Sequence, residues 1–160
     1  GTATVGVILT AGTQPQSPEL QLPTPVTVDP QPRLTQLPAG LSHPAGDTLG
    51  GGVRLAGYYA ARGASGVDLV LYWQTSQPLP EDLHVFAHLL DDNGHLVAQH
   101  DGVPASGTRP TTGWMPGEFI QDKHIIPLPA GATGPLQLEV GLYNPATGQR
   151  LGDRLLLESV

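Results

Sequence analysis

Cysteine is absent from all 160 residues, which excludes a disulfide framework and any thiolate-held metal. Lysine is nearly absent as well: Lys123 stands alone beside six arginines, and the net charge is −7. Such a balance argues against a groove that tracks the phosphates of DNA or RNA, so nucleic acid is not an expected partner. Charged residues make up 13%, half the usual share of roughly 25%, so helices with solvated charged faces are not expected. No apolar run approaches the ~18 residues that a membrane helix needs. The longest uncharged apolar stretch, residues 2–12, is short and rich in threonine and glycine, and no basic segment precedes it. An export signal, for an exported chain, is therefore expected to have been removed, and a start at Gly1 agrees with a processed or trimmed chain.

Glycine (21) and proline (17) are plentiful, and they punctuate short alternating runs. The clearest is a hairpin. Residues 83–90 (LHVFAHLL) and 95–100 (HLVAQH) flank Asp91-Asp92-Asn93-Gly94, and Asn-Gly between apolar alternations is a strong hairpin signal. Beyond Asp101-Gly102-Val103-Pro104 a long loop with Arg109 and Trp114 leads to Glu118. Strands are predicted also at 53–60, 67–75, 118–128, 136–143 and 154–159. In the second of these Val67, Leu69, Leu71 and Trp73 share one face; in the fourth Leu136, Leu138, Val140 and Leu142 do. Residues 118–128 show mixed facing. Together these features predict an all-β fold, an antiparallel β-sandwich of about seven strands, Ig-like or jelly-roll-like, with a barrel as the alternative.

Ahead of the sandwich the organisation is different. Residues 1–12 hold an alternating strand (2–10) and residues 13–49 a proline-rich extended arm, with prolines at 15, 18, 23, 25, 30, 32, 38 and 44. No hairpin turn is expected between them. A polyproline path of ~3.1 Å per residue would carry such an arm roughly 100 Å. Gly50-Gly51-Gly52 reads as the hinge into the domain at 50–160.

The order of five motifs resembles one family. LAGYY (55–59), LVLYWQ (69–74), VFAHLLDDNGHLVAQHDGVP (85–104), PTTGWMPGE (110–118) and VGLYNPATGQRL (140–151) are similar to the C-terminal extracytoplasmic domain of bacterial membrane glycosyltransferases of the protein-mannosyltransferase type. The resemblance covers residues 50–153. It implies an extracytoplasmic β-sandwich after a proline-rich linker, and it supplies no catalytic residue, since the transferase active site would lie in the membrane part.

Candidate chemistry is sparse. His84 and His88 are separated by about 13 Å on a strand, too far to share one ion. Across the hairpin, His88 or Phe86 is expected to approach His100 or Gln99, at a register the turn leaves open. The Asp91–Gly94 run has turn composition and lacks the alternating oxygen ligands of a calcium loop. Asp101, Glu118 and Asp122 lie near the ends of strands that could adjoin, but nothing marks a desolvated acid beside an ionised partner. Ser65 lacks the second glycine of a nucleophile elbow, and no helix follows Gly50-Gly51-Gly52 to bind phosphate. No metal, cofactor or catalytic set is expected. Two functions remain. One is a non-catalytic structural subunit, secreted or at the cell surface, polymerising into a homo-oligomer or filament as Val5, Val7, Ile8 and Leu9 add a donor strand to a neighbouring copy. The other is a carbohydrate-binding accessory module that stacks a glycan on Tyr72, Trp114 or Tyr143.

Overall fold

The chain divides into two compact units, Gly1–Pro32 and Arg33–Val160. The computed structural model describes the second unit apart from residues 40 and 42, and in the first unit only four two-residue strands. Within that first unit Gly6–Val7 pairs antiparallel with Leu20–Gln21, and Thr10–Ala11 with Gln14–Pro15. Thr10–Ala11 thus runs antiparallel to Gln14–Pro15, where no hairpin was expected. Strands of two residues are too short to leave a periodicity that sequence could reveal.

The second unit is all-β: seven strands of five or more residues in two antiparallel sheets, a β-sandwich. Its strands are β1 (His43–Pro44), β2 (Val53–Arg62), β3 (Gly66–Thr75), β4 (His84–Leu90), β5 (Leu96–Gly102), β6 (Phe119–Pro127), β7 (Gln137–Tyr143) and β8 (Leu155–Ser159). One sheet has the order β6-β3-β2-β1, the other β8-β7-β4-β5. Among the described residues the one helical element is the turn Thr111–Gly113, and no helix is long and apolar enough to cross a membrane.

Alternation fills the space between the sheets. Val67, Leu69, Leu71 and Trp73 from β3 meet Leu138, Val140 and Leu142 from β7, all fully buried. Apolar area removed from water at about 25 cal/mol per Å² is the main force holding the layers together. Strand β6 is regular: Ile120, Asp122, His124 and Ile126 face in, and Lys123 and Ile125 face out. Its mixed reading in sequence arose because two polar residues hold inward positions while Ile125 is exposed.

The proline-rich stretch 33–49 belongs to this unit, so the unit starts earlier than the expected boundary at Gly50. The Phe119 amide donates to Leu34 O at the β6 edge (2.8 Å), and His43–Pro44 pair with Tyr58–Gly57 at the β2 edge. Between these anchors the Leu41 side chain packs over Gly57, on the outer face of the sheet. With Leu34 at one edge, Leu41 over the face and His43 at the other edge, this segment is a strap across that face. Gly50–Gly52 is accordingly a hairpin turn within the domain, where a hinge was expected: Val53 N–H donates to Gly50 O, and Thr48 pairs with Arg54. Gly51 (φ 56°) and Gly52 (φ 78°) supply the left-handed backbone it needs.

Candidate functional site

Strand direction brings the loops 76–83, 103–118 and 144–154 to one end of the sandwich, together with the 50–52 turn. There the 76–83 and 144–154 loops and the 50–52 turn enclose a cleft of about 350 Å³. Its floor is apolar, made by Leu79, Leu83 and Leu151, and its rim carries Gln77, Glu81, Asn144, Gln149 and Arg150. Asn144 organises the rim. Its Oδ1 accepts from the Ala146 and Thr147 amides, closing the loop, while Nδ2 donates to Glu81 Oε2 at 2.7 Å. Gln77 is fixed by donating to Gly51 O at 3.0 Å.

Arg150 joins this rim to the outer face of the β7-β4 sheet. Its Nη2 lies 3.2 Å from Glu139 Oε1, and its guanidinium sits 4.7 Å above the Phe86 ring. Arg154 holds the other oxygen of Glu139 at 3.1 Å, so this buried carboxylate has two cations. The Phe86 ring occupies the space that a side chain at Gly141 would need. Tyr143, edge-on to His84 at 5.8 Å, has its hydroxyl pushed above the ordinary value of 10.0, by burial first and then by Asp101. His88 Nε2 lies 3.3 Å from Asp101 Oδ1, yet it is buried without a directed hydrogen bond.

Two further polar clusters flank the 103–118 loop. Glu118 is buried between Arg33 Nη1 (2.7 Å) and Arg109 Nη2 (2.8 Å), and it accepts from the Met115 amide at 2.6 Å. The Arg109 contact is off the N–H axis, hence a charge pairing and not a directed hydrogen bond. Burial raises the Glu118 carboxyl, but the Met115 amide, Arg109 and Arg33 together outweigh it and hold the group below its ordinary 4.5. Deeper, Asp122 accepts from Ala105 N–H (2.8 Å) and Trp73 Nε1 (3.3 Å), and contacts His124 Nε2 at 2.9 Å. The Ala105 bond anchors three successive left-handed residues, Ala105 (φ 54°), Ser106 (φ 53°) and Gly107 (φ 86°). For the two non-glycines that backbone costs roughly 1–2 kcal/mol each.

Of the residues singled out by sequence, Val5, Ile8 and Leu9 lie outside the described residues, and Val7 is placed by its pairing with Leu20. Trp114 is packed in the core from the loop end, donating Nε1–H to Arg109 O (2.9 Å), so its ring is not presented to solvent. Tyr72 is covered on the strapped face, where Gln121 donates to its hydroxyl. Tyr143 is half-buried beside the cleft residue Asn144. Asp101, Glu118 and Asp122 are each engaged separately, by His88, by two arginines and by His124. The hairpin register sets His88 against Gln99 and Phe86 against Asp101, whereas His100 lies opposite Ala87 and is turned towards β6. Phe86 therefore lies opposite neither His100 nor Gln99. The rim residues Glu81, Gln149 and Arg150 fall between predicted strands and were not singled out by the sequence; their signal is side chains longer than a turn requires, in loops sharing one end. The chain matches no described protein family, no curated protein and no solved structure.

Proposed function

We propose that this chain is a non-catalytic extracytoplasmic accessory module that binds a saccharide in the cleft at the loop end. The observation that carries the reading is the pairing of an apolar floor with amide, carboxylate and guanidinium groups already oriented by one another. A sugar ring has an apolar face and a rim of hydroxyls, each both donor and acceptor, and it is met by just such a combination. A cleft of about 350 Å³ falls within the range of small-ligand sites. The resemblance of residues 50–153 to an appendage of membrane glycosyltransferases supports the same chemical class and the same side of the membrane.

Glycan-array binding followed by calorimetry on the best glycan tests this. Asn144→Ala and Gln149→Ala are expected to weaken binding about tenfold or more, since each removes a directed polar contact, while Tyr59→Ala, on an exposed face far from the loops, leaves it unchanged. Failure to retain any glycan, or affinity indifferent to both rim changes, overturns the reading.

A second reading, the structural subunit polymerising by strand addition, is supported by a groove of about 440 Å³ between the β1 and β8 edges. Ala45, Tyr58, Leu156 and Leu157 line it together with Asp47 and the His43–Glu158 pair, and Leu156 is 56% exposed. An alternating segment such as residues 2–10 of another copy suits such an edge.

A further inference from the structure

The two sheets approach each other along β5 and β6, and the contact between them there is made by two imidazoles. His100 Nδ1 and His124 Nδ1 are 2.9 Å apart, with ring planes at 80°. We infer that His100 and His124 form a two-imidazole site for a divalent transition-metal ion, Ni(II), Cu(II) or Zn(II), bridging one sheet to the other.

Three observations support the site. His124 Nε2 faces Asp122 Oδ2 at 2.9 Å, and that carboxylate already accepts N–H groups from Ala105 and Trp73, so it takes the His124 proton on Nε2. That tautomer leaves Nδ1 of His124 unprotonated and beside His100, able to accept an N–H or to ligate an ion. A carboxylate behind one ring nitrogen with the other ring nitrogen free is how metal-bound imidazoles are ordinarily oriented. The separation also suits an ion. Two nitrogens each about 2.0–2.1 Å from a metal stand roughly 2.9 Å apart at a right angle and roughly 3.3 Å apart in a tetrahedron. Access is the third: His124 is buried at 4% exposure, whereas His100 is exposed on an edge strand and can pivot to admit the ion.

Among the described residues no three side chains of His, Cys, Asp or Glu converge for a metal, so water completes the coordination and affinity is modest. Other histidines lack a second imidazole: His43 pairs with Glu158, His88 with Asp101 and His95 with Asp91.

The test titrates Ni2+ into the tag-free full chain by calorimetry, with thermal melting and histidine ring NMR alongside. One ion per chain is expected, shifting the rings of His100 and His124 and raising Tm. His100→Ala should weaken binding about tenfold or more and abolish the Tm rise, and His95→Ala, at the exposed hairpin turn, should change neither. Binding indifferent to His100→Ala, or none at millimolar Ni2+, overturns the site and leaves only an N–H···N hydrogen bond between the rings. Neither result depends on whether a saccharide binds.

Discussion

Glu118 shows how one side chain ties separate parts of the sequence together. Its oxygens are held by Arg33 from the strap and by Arg109 and the Met115 amide from the 103–118 loop. Because its folded carboxyl titrates below the ordinary 4.5, the unfolded chain takes up the proton first as pH falls. The stabilisation is therefore fully present above that value and is lost as pH drops through the lower, folded one. Glu118→Gln should cost about 2–3 kcal/mol at pH 7, the scale of breaking a buried charge-assisted contact. Melting curves from pH 7 to pH 3 check this: the gap between the two proteins should narrow towards the acid end, and a constant gap contradicts the assignment. Nothing in the sequence announced these partners. Arg33 and Glu118 are 85 positions apart, and only the crossing of the strap brings them together. Asp122 and His124 were similarly hidden, since alternation marks an inward position by its apolar residue and these two are polar.

At the scale of elements, the sequence was most informative where a single physical rule acts locally. Asn93-Gly94 demanded a turn, and the structure has one, with Gly94 at φ 79° and Asp91 Oδ1 accepting from the Asn93 and His95 amides. Alternation in β3 and β7 named the core residues because one face of each strand carries the aliphatic side chains that fill the space between the sheets. Burial on the outer face was not legible. Tyr72 points away from the core yet is 6% exposed. What lies over that face is a distant proline-rich segment, and proline density suggests an extended path without saying what it lies against. The strap is accordingly the element whose removal should matter. A chain beginning at residue 45 is expected to melt about 10 °C or more below one beginning at residue 33, since it loses Leu34, Leu41 and the Arg33–Glu118 pair and bares Tyr72. Differential scanning calorimetry on the two chains, with Tyr fluorescence as a local probe, reads the difference; equal melting temperatures would mean the strap contributes little.

For the whole molecule, the division after Pro32 separates two bodies of different kind, and they can be tested separately. The Arg33–Val160 unit has a continuous core of its own and should fold alone with Tm within a few degrees of the full chain. If residues 2–10 join copies together, sedimentation velocity should show the full chain larger than a monomer and the Arg33–Val160 unit monomeric. Identical states for both remove the polymer reading and leave the saccharide reading standing alone. Sequence indicated the sandwich because seven short strand-like runs, most of them alternating, with glycine and proline between them admit few other arrangements. It was silent on the cleft because a site assembled from three separate loops has no linear spacing to recognise.

The strap also sets an order of events when the chain is made. Leu34 leaves the ribosome long before Phe119, the residue it must bond, has been added. Until then the Leu34 carbonyl lacks that partner. Pro38 and Pro44 offer no N–H to a foreign sheet, which makes the waiting segment a poor template for edge pairing.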